Sequence, residues 1–509
     1  MTRSISLPFS GRRPVDWRVL VTASPVATVV LFALLLLAIV PVAYLGGDGD
    51  DYHYLLAARC VADHGFCLPV DHWWRRYPIV FPTGISLALF GESQASLSIA
   101  PLAYSLSAIA LFVTLVQRQF GRVEALLAGL ALVCTPAFAM RLPEVNIDIP
   151  ELTFVLAALL CLQSASASGK RRLVVLAGGM LGLAIQARPT SLVMVPIVVI
   201  GLVAMKQWRG WTLPLIAGVL IPNLGEAILY WLSAGDPLLP WRLSLAHSHM
   251  PSSDLLPGVD TSRSPLFNPN FIGGWLHANG ISVHWTIDGL LNLVVDPSIA
   301  LTLACGTLFA VLNWRALIGE QDGKLLLALA VGAALLFGGL TYGFAIAPRP
   351  RMYLAIIALF CVYFGVFAAR GLPARTLLVS VAALLLIGKA LSVAYDRADL
   401  RAEAMIAPAW IAAAQGIVAV APRTGRFLTL VPEVEALPRY APGVAADRIL
   451  LIGENDCRHA ADDVGLRDWR AERAATFRRR DPMIIAALRR DGLFLGPPLI
   501  TVMCLLRRD

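Results

Sequence analysis

The sequence predicts an all-α polytopic membrane protein with a small α/β domain at its C-terminal end. Three observations carry that prediction. Of 509 residues, 57% are hydrophobic and only 15% are charged, and the mean hydropathy is +0.69. Soluble domains carry roughly 25% charged residues. Apolar stretches long enough to cross a ~30 Å hydrocarbon core recur along the first ~390 residues. Beyond them, residues 393–509 are soluble in character.

About eleven spans, each near the ~20 residues a helix needs, can be placed. They cover approximately 20–45, 95–117, 123–140, 150–168, 173–188, 190–206, 212–233, 297–314, 325–346, 352–369 and 374–392. Each must be helical, because lipid offers no partner to an open backbone amide. The run Val26–Leu45 exceeds the roughly 7–15 residues of a signal-peptide core and no small-residue cleavage site follows, so a retained helix is expected. Basic clusters at Arg12-Arg13, Arg118 with Arg122, Lys170-Arg171-Arg172, Lys206 with Arg209, Arg315 with Lys324, and Arg370 with Arg375 fall in alternate loops. Those loops are cytoplasmic by the positive-inside rule. They account for the net charge of +8. No basic stripe with stacking aromatics accompanies them, which excludes a nucleic-acid partner. An odd span number puts the N-terminus inside and the C-terminal region outside.

The predicted division is a membrane domain, 1–392, with long extracytoplasmic loops at about 46–94 and 234–296, and an extracytoplasmic α/β domain, 393–509. Trp241, Trp275 and Trp285 suit a seat at the membrane interface. In the tail, 426–431, 449–452 and 499–503 read as strands, with helical stretches around 398–419 and 462–490. Two cysteine pairs, Cys60 with Cys67 and Cys457 with Cys504, lie in segments placed outside, where disulfides are permitted. Neither has zinc-site spacing.

Chemistry concentrates where spans meet the outer boundary. Asp50-Asp51 directly follows the first span, and Asp148 opens the fourth. Tyr54 shares a helix face with Asp50 if a helix starts at the acidic pair. Helix capping or plain solvation is the ordinary reading of such a pair. Arg75, Arg76, Arg188, Arg349 and Arg351 also fall at that boundary. Guanidinium is suited to bidentate phosphate contacts, whereas snorkelling towards headgroups is its ordinary use there. A divalent cation (Mg, Mn or Zn) would find Asp50, Asp51 and His53 first, although a solvated loop histidine is the simpler state.

The acidic pair, Tyr54, Ala58-Arg59 and Arg76-Tyr77-Pro78 followed by Pro82-Thr-Gly84 together resemble one family. So does Asn146-Ile-Asp148-Ile-Pro150, which is similar to its second-loop Asp-x-Pro-Leu motif, and so does Ala187-Arg188-Pro189. The family is the polyprenyl-phosphate-sugar-dependent glycosyltransferases of GT-C fold. It includes the lipid A aminoarabinose transferases, the protein O-mannosyltransferases and rhizobial galacturonosyltransferase-like proteins. The likeness covers roughly residues 20–210 and the general layout of the remainder. Many members have Asp-Glu where this chain has Asp50-Asp51.

The resemblance implies an enzyme of the bacterial inner (plasma) membrane. It would take sugar from a polyprenyl-phosphate donor to an extracytoplasmic glycan, lipid or protein by an inverting displacement. Asp50, Asp51 and Asp148 are the candidate catalytic acids, and Asp50 is favoured as base because Tyr54 and Arg59 then stand at the expected offsets. The five arginines are assigned to the donor phosphate, and Tyr54, Tyr77 and Glu144 to substrate. The alternatives are a transporter or lipid-linked sugar flippase, and a polysaccharide polymerase or ligase. Transporters often show repeated halves with helices broken near the midplane; no such repeat is evident, and the acids sit at span ends.

Overall fold

The computed structural model describes residues 24–39, 50–246, 281, 285–296, 298–312, 315, 321–343, 350–369, 401–428, 430–441, 444–454, 456–463, 465–466, 468–478 and 500–508. The span expected at 374–392, Arg349 and Trp275 lie outside these residues.

The helices are α1 (Pro25–Ile39), α2 (Asp50–His64), α3 (Tyr77–Phe90), α4 (Gln94–Gln119), α5 (Arg122–Cys134), α6 (Asp148–Ser168), α7 (Arg171–Ala187), α8 (Met194–Ala204), α9 (Thr212–Ala234), α10 (Leu239–Ala246), α11 (Trp285–Val295), α12 (Ala300–Leu312), α13 (Gln321–Gly338), α14 (Leu354–Ala369) and α15 (Arg401–Ala413). Among the described residues, five helical stretches are long and apolar enough to cross a membrane. These are Gln94–Gln119, Asp148–Ser168, Trp208–Ala234, Lys324–Gly343 and Pro350–Ala369. The bent pair α11–α12 makes a sixth if counted as one span, and shorter apolar helices include Pro25–Leu37 and Pro189–Ala204. The chain is an integral membrane protein.

Local chemistry sets these ends. Gly169 and Gly235, both at φ 70°, cap α6 and α9 in the left-handed conformation that glycine adopts without strain. Ser93 and Ser96 form a reciprocal capping box at the start of α4. The loop between the first two predicted spans is itself largely helical from Asp50 onward. Its second helix, α3, begins beside Pro78 and was not expected from the sequence.

The membrane core is built around α14, buried against α5 and α12. Close approach needs small residues: a Cβ on Gly365 would strike the Glu124 carbonyl and Ala128, and one on Gly306 the Phe360 carbonyl. The tightest contact joins α7 to α9. There a Cβ on Gly178 would collide with the Leu215 carbonyl oxygen, and one on Gly218 with that of Val175. Such small-residue seams drive helix association in lipid, where burial of apolar surface gives no net force.

The C-terminal segment folds on a four-stranded sheet of order β1-β2-β4-β3, with β1 Val418–Val420, β2 Arg448–Glu454, β3 Trp469–Arg478 and β4 Ile500–Arg508. β1 runs parallel to β2, while β4 is antiparallel to both its neighbours. The strands expected around 449–452 and 499–503 are present. Two expectations are corrected. Residues 426–431 are not a strand: Pro422 opens a helical turn, Pro422–Phe427, and the strand lies just before it. Leu428 and Val431 still enter the core, which explains the misleading apolar run. Within the stretch read as helical, 469–478 is the edge strand β3. Its Arg- and Ala-rich composition favours helix, but pairing along the whole of β4 overrides that propensity. Cys60–Cys67 and Cys457–Cys504 are both disulfide-bonded, at Cα separations of 6.1 and 5.8 Å.

Replacing Gly178 with Leu is expected to destabilise the detergent-solubilised protein by about 1–3 kcal/mol through overpacking, read as a lower melting temperature. Gly201→Leu, where nothing lies within 4 Å of the added carbon, serves as the unaffected control.

Candidate active site

Asp50 and Asp51 are the first two residues of α2, and Asp148 is the first of α6. A carboxylate there faces the positive end of the helix dipole. Asn146 secures the start of α6, its Oδ1 accepting the Ile149 amide at 2.9 Å while its Nδ2 donates to the Arg141 and Glu144 carbonyls. Pro350 opens the short turn Pro350–Tyr353 and sends Arg351 towards both acids. Arg351 Nη2 donates to Asp50 Oδ2 at 2.9 Å, and its Nε lies 4.0 Å from Asp148 Oδ2. The starts of α2 and α6 therefore converge on one guanidinium.

Arg188 completes the cluster from the end of α7. Its extended backbone, φ −150° and ψ 110°, suits a residue before proline. Its Nη1 donates to Asp148 Oδ1 at 3.0 Å and to Glu151 Oε2 at 3.3 Å, and the Ser191 hydroxyl donates to Glu151 Oε1. Asp148 and Arg188 are almost wholly buried.

On the other side, the turn before α3 is organised by Asp71, whose Oδ1 accepts the Trp73 and Trp74 amides at 2.8 and 3.1 Å. His53 lies 3.4 Å from Asp71 and stacks on Trp73, whose indole N–H donates to Asp50 Oδ1 at 3.0 Å. Burial works against ionised Asp71, but the hydrogen bonds from His53 and the two amides outweigh it and hold its carboxyl below the usual range.

Arg76 ends this turn. It is 8% exposed, and its Nε and Nη1 make no hydrogen bond to the described residues. Burial pushes its guanidinium down to about 10, yet it stays cationic at neutral pH. Its electrostatic neighbours include Tyr54, Arg188 and Asp50. Burial and the charge of Asp50 push the Tyr54 hydroxyl well above its ordinary range, so it stays a neutral hydrogen-bonding group.

The remaining expected residues take other places. Arg75 turns away into a buried pair with Glu226 at 3.3 Å, because its fully buried guanidinium needs a counter-charge of its own. The Tyr77 hydroxyl meets that of Tyr230. Glu144 pairs with Arg141. The metal set Asp50, Asp51 and His53 is corrected. His53 is turned to Asp71, and the Asp50 oxygens already accept from Arg351 and Trp73. Among the described residues, the one group of potential ligands close enough for an ion is Cys60, His64 and Cys67, whose sulfurs are bonded to each other. Among the described residues, Asp50, Asp51 and His53 are therefore not gathered into a divalent-cation site. Glu151 and Glu226 were missed by the sequence reading. Both are carboxylates inside apolar spans, a signal that defaults to a functional role.

Residues 79–231 match the family model described as dolichyl-phosphate-mannose-protein mannosyltransferase. No curated protein matches the sequence. Among solved structures, ArnT from Cupriavidus metallidurans bound to undecaprenyl phosphate is similar, with a TM-score of 0.52 and 14% identity over 94% of this chain and 97% of that one. The chain has the GT-C fold. The Archaeoglobus fulgidus oligosaccharyltransferase in its apo form gives a TM-score of 0.51 at 13% identity, over 85% of this chain and 62% of that one. Its complex with Zn and sulfate gives 0.50 at 12% identity, over 81% and 61%. The matched family segment spans α3 to α9 and so contains Asp148, Glu151 and Arg188, while Asp50, Arg76 and Arg351 lie outside it.

Truncating Arg188 to Ala leaves Asp148 and Glu151 short of their shared counter-charge. The expected cost is about 3–5 kcal/mol, the range for breaking a buried pair, measured by thermal unfolding in micelles.

Proposed function

We propose that this GT-C glycosyltransferase moves a sugar from a polyprenyl-phosphate donor to an acceptor hydroxyl on the extracytoplasmic side of the membrane. The observation that carries the reading is the meeting of Asp50, Asp148 and Arg351, with Arg76 buried beside them. In this mechanism Arg76 and Arg351 hold the donor phosphate, since fixed cations stabilise the charge that develops as it leaves. The bound phosphate shares Arg351 with Asp50, which weakens the ion pair restraining that carboxylate and strengthens it as a base. Asp50 then takes the acceptor hydroxyl proton. The acceptor oxygen bonds to the anomeric carbon, the carbon–oxygen bond to phosphate breaks with its electron pair going to the phosphate, and the configuration inverts. Asp148, held by Arg188, keeps Arg351 at the correct depth. Tyr54 adds a neutral hydroxyl to the same pocket. Undecaprenyl phosphate in the similar ArnT structure and the dolichyl-phosphate family description support a prenyl donor.

The two disulfides support an oxidising compartment for the first loop and the C-terminal domain. That domain touches the first loop, where Arg59 pairs with both Glu92 and Glu435. Its role in this reading is acceptor recognition.

Incubated with polyprenyl-phosphate sugar and membrane acceptors, the purified protein is expected to release polyprenyl phosphate. Asp50→Asn and Asp148→Asn should each abolish release, Asp50→Asn with yield and melting temperature preserved and Asp148→Asn with a lower melting temperature because Arg188 loses a buried partner, and full turnover in both variants would remove the assignment. Release should also survive EDTA, because guanidinium groups occupy the place a metal would take. Loss on chelation that added Mg²⁺ or Mn²⁺ restores would contradict that part of the mechanism.

A further inference from the structure

Arg76 stands between two residues that are fastened to a single helix. Arg75 is fully buried. Its Nη2 contacts both Glu226 oxygens at 3.3 and 3.4 Å, and its Nη1 donates to the Pro240 carbonyl at 2.8 Å and to Ser244 Oγ at 2.7 Å. The guanidinium carbon lies 5.2 Å from the centre of the Trp241 ring. On the far side of Arg76, the Tyr77 hydroxyl meets the Tyr230 hydroxyl, and the two rings are 6.1 Å apart. Glu226 and Tyr230 are four residues apart on α9 and therefore lie on one helix face. Both are buried.

The backbone between the fasteners is fixed too. The Arg76 amide donates to the Trp73 carbonyl, the Tyr77 amide to the Arg75 carbonyl, and the Arg76 carbonyl accepts from Ile79 and Val80. Both neighbours of Arg76 are thus committed to α9, and the turn leaves Arg76 no freedom to follow them. Its side chain is buried and senses the charges of Tyr54, Arg75, Arg188 and Asp50, while its Nε and Nη1 make no hydrogen bond among the described residues.

We infer that Glu226 and Tyr230 are positioning residues that hold Arg76 in place for the donor phosphate, acting through Arg75 and Tyr77. The inference rests on the proposed role of Arg76 in donor binding. It adds two residues deep in a membrane span to the machinery of the site. A carboxylate in that span is costly to bury, and one that fixes a phosphate-binding cation has a reason to be there. The pair also joins donor binding to α10, since the Arg75 fork grips the backbone at Pro240 and the side chain of Ser244.

The test is a double-mutant cycle on undecaprenyl phosphate affinity, with undecaprenol as the phosphate-free comparison. Glu226→Gln and Tyr230→Phe are each expected to raise the Kd for undecaprenyl phosphate, Glu226→Gln by about tenfold, the size of one weakened charge-assisted hydrogen bond. Undecaprenol binding should not change. In the Arg76→Gln background neither substitution should weaken binding further, because the group they position is gone. Should Glu226→Gln fail to fold, Tyr230→Phe alone carries the cycle. Effects that persist in full without Arg76, or that appear equally with undecaprenol, would overturn the positioning role while leaving the donor reading intact. An unchanged Kd in Arg76→Gln itself would overturn the donor reading and this inference with it.

Discussion

The guanidinium of Arg351 is the group on which one end of the helical bundle is organised. It draws together the start of α2 and the start of α6, segments separated by about a hundred residues, and it comes from a third segment two hundred residues further on. Two carboxylates that share one guanidinium repel, and a buried one such as Asp148 needs a counter-charge. Arg351 and Arg188 supply the opposing charge.

Much of this was legible before the structure. The long helices begin and end within a few residues of the predicted spans because their ends are written in local chemistry: Gly169 and Gly235 stop helices, and Ser93 starts one. The convergence of Asp50, Asp148, Arg188 and Arg351 followed from placing every one of them at the same boundary. The individual roles were harder. Arg75 and Arg76 are indistinguishable in sequence, yet one is bound to Glu226 and the other is buried with Nε and Nη1 making no hydrogen bond among the described residues. That choice is made by α9, more than a hundred residues away. Glu226 and Glu151 were passed over because each lies inside an apolar run that reads as simple span. In the tail, β3 is rich in arginine and alanine and is strand only because β4 is there to pair with it.

The contact between Arg59 and Glu435 ties the C-terminal domain to the loop that carries Asp50. Arg59 is held at the same time by Glu92 at the far end of α3. Salt bridges of this exposure contribute little stability, so their value here lies in orientation. The domain can rest against the first loop without being locked to it.

The glycine seam between α7 and α9 has a consequence for how this site can change. At Gly178 and Gly218 the two backbones touch with no side chain between them to give way. α7 delivers Arg188 to Asp148, and α9 delivers Glu226 to Arg75. The pair behaves as a single plank bearing one anchor for each half of the pocket. A tilt that loosened one anchor would drag the other, so the Asp148–Arg188 pair and the Arg75–Glu226 pair can shift only in concert unless the seam first breaks.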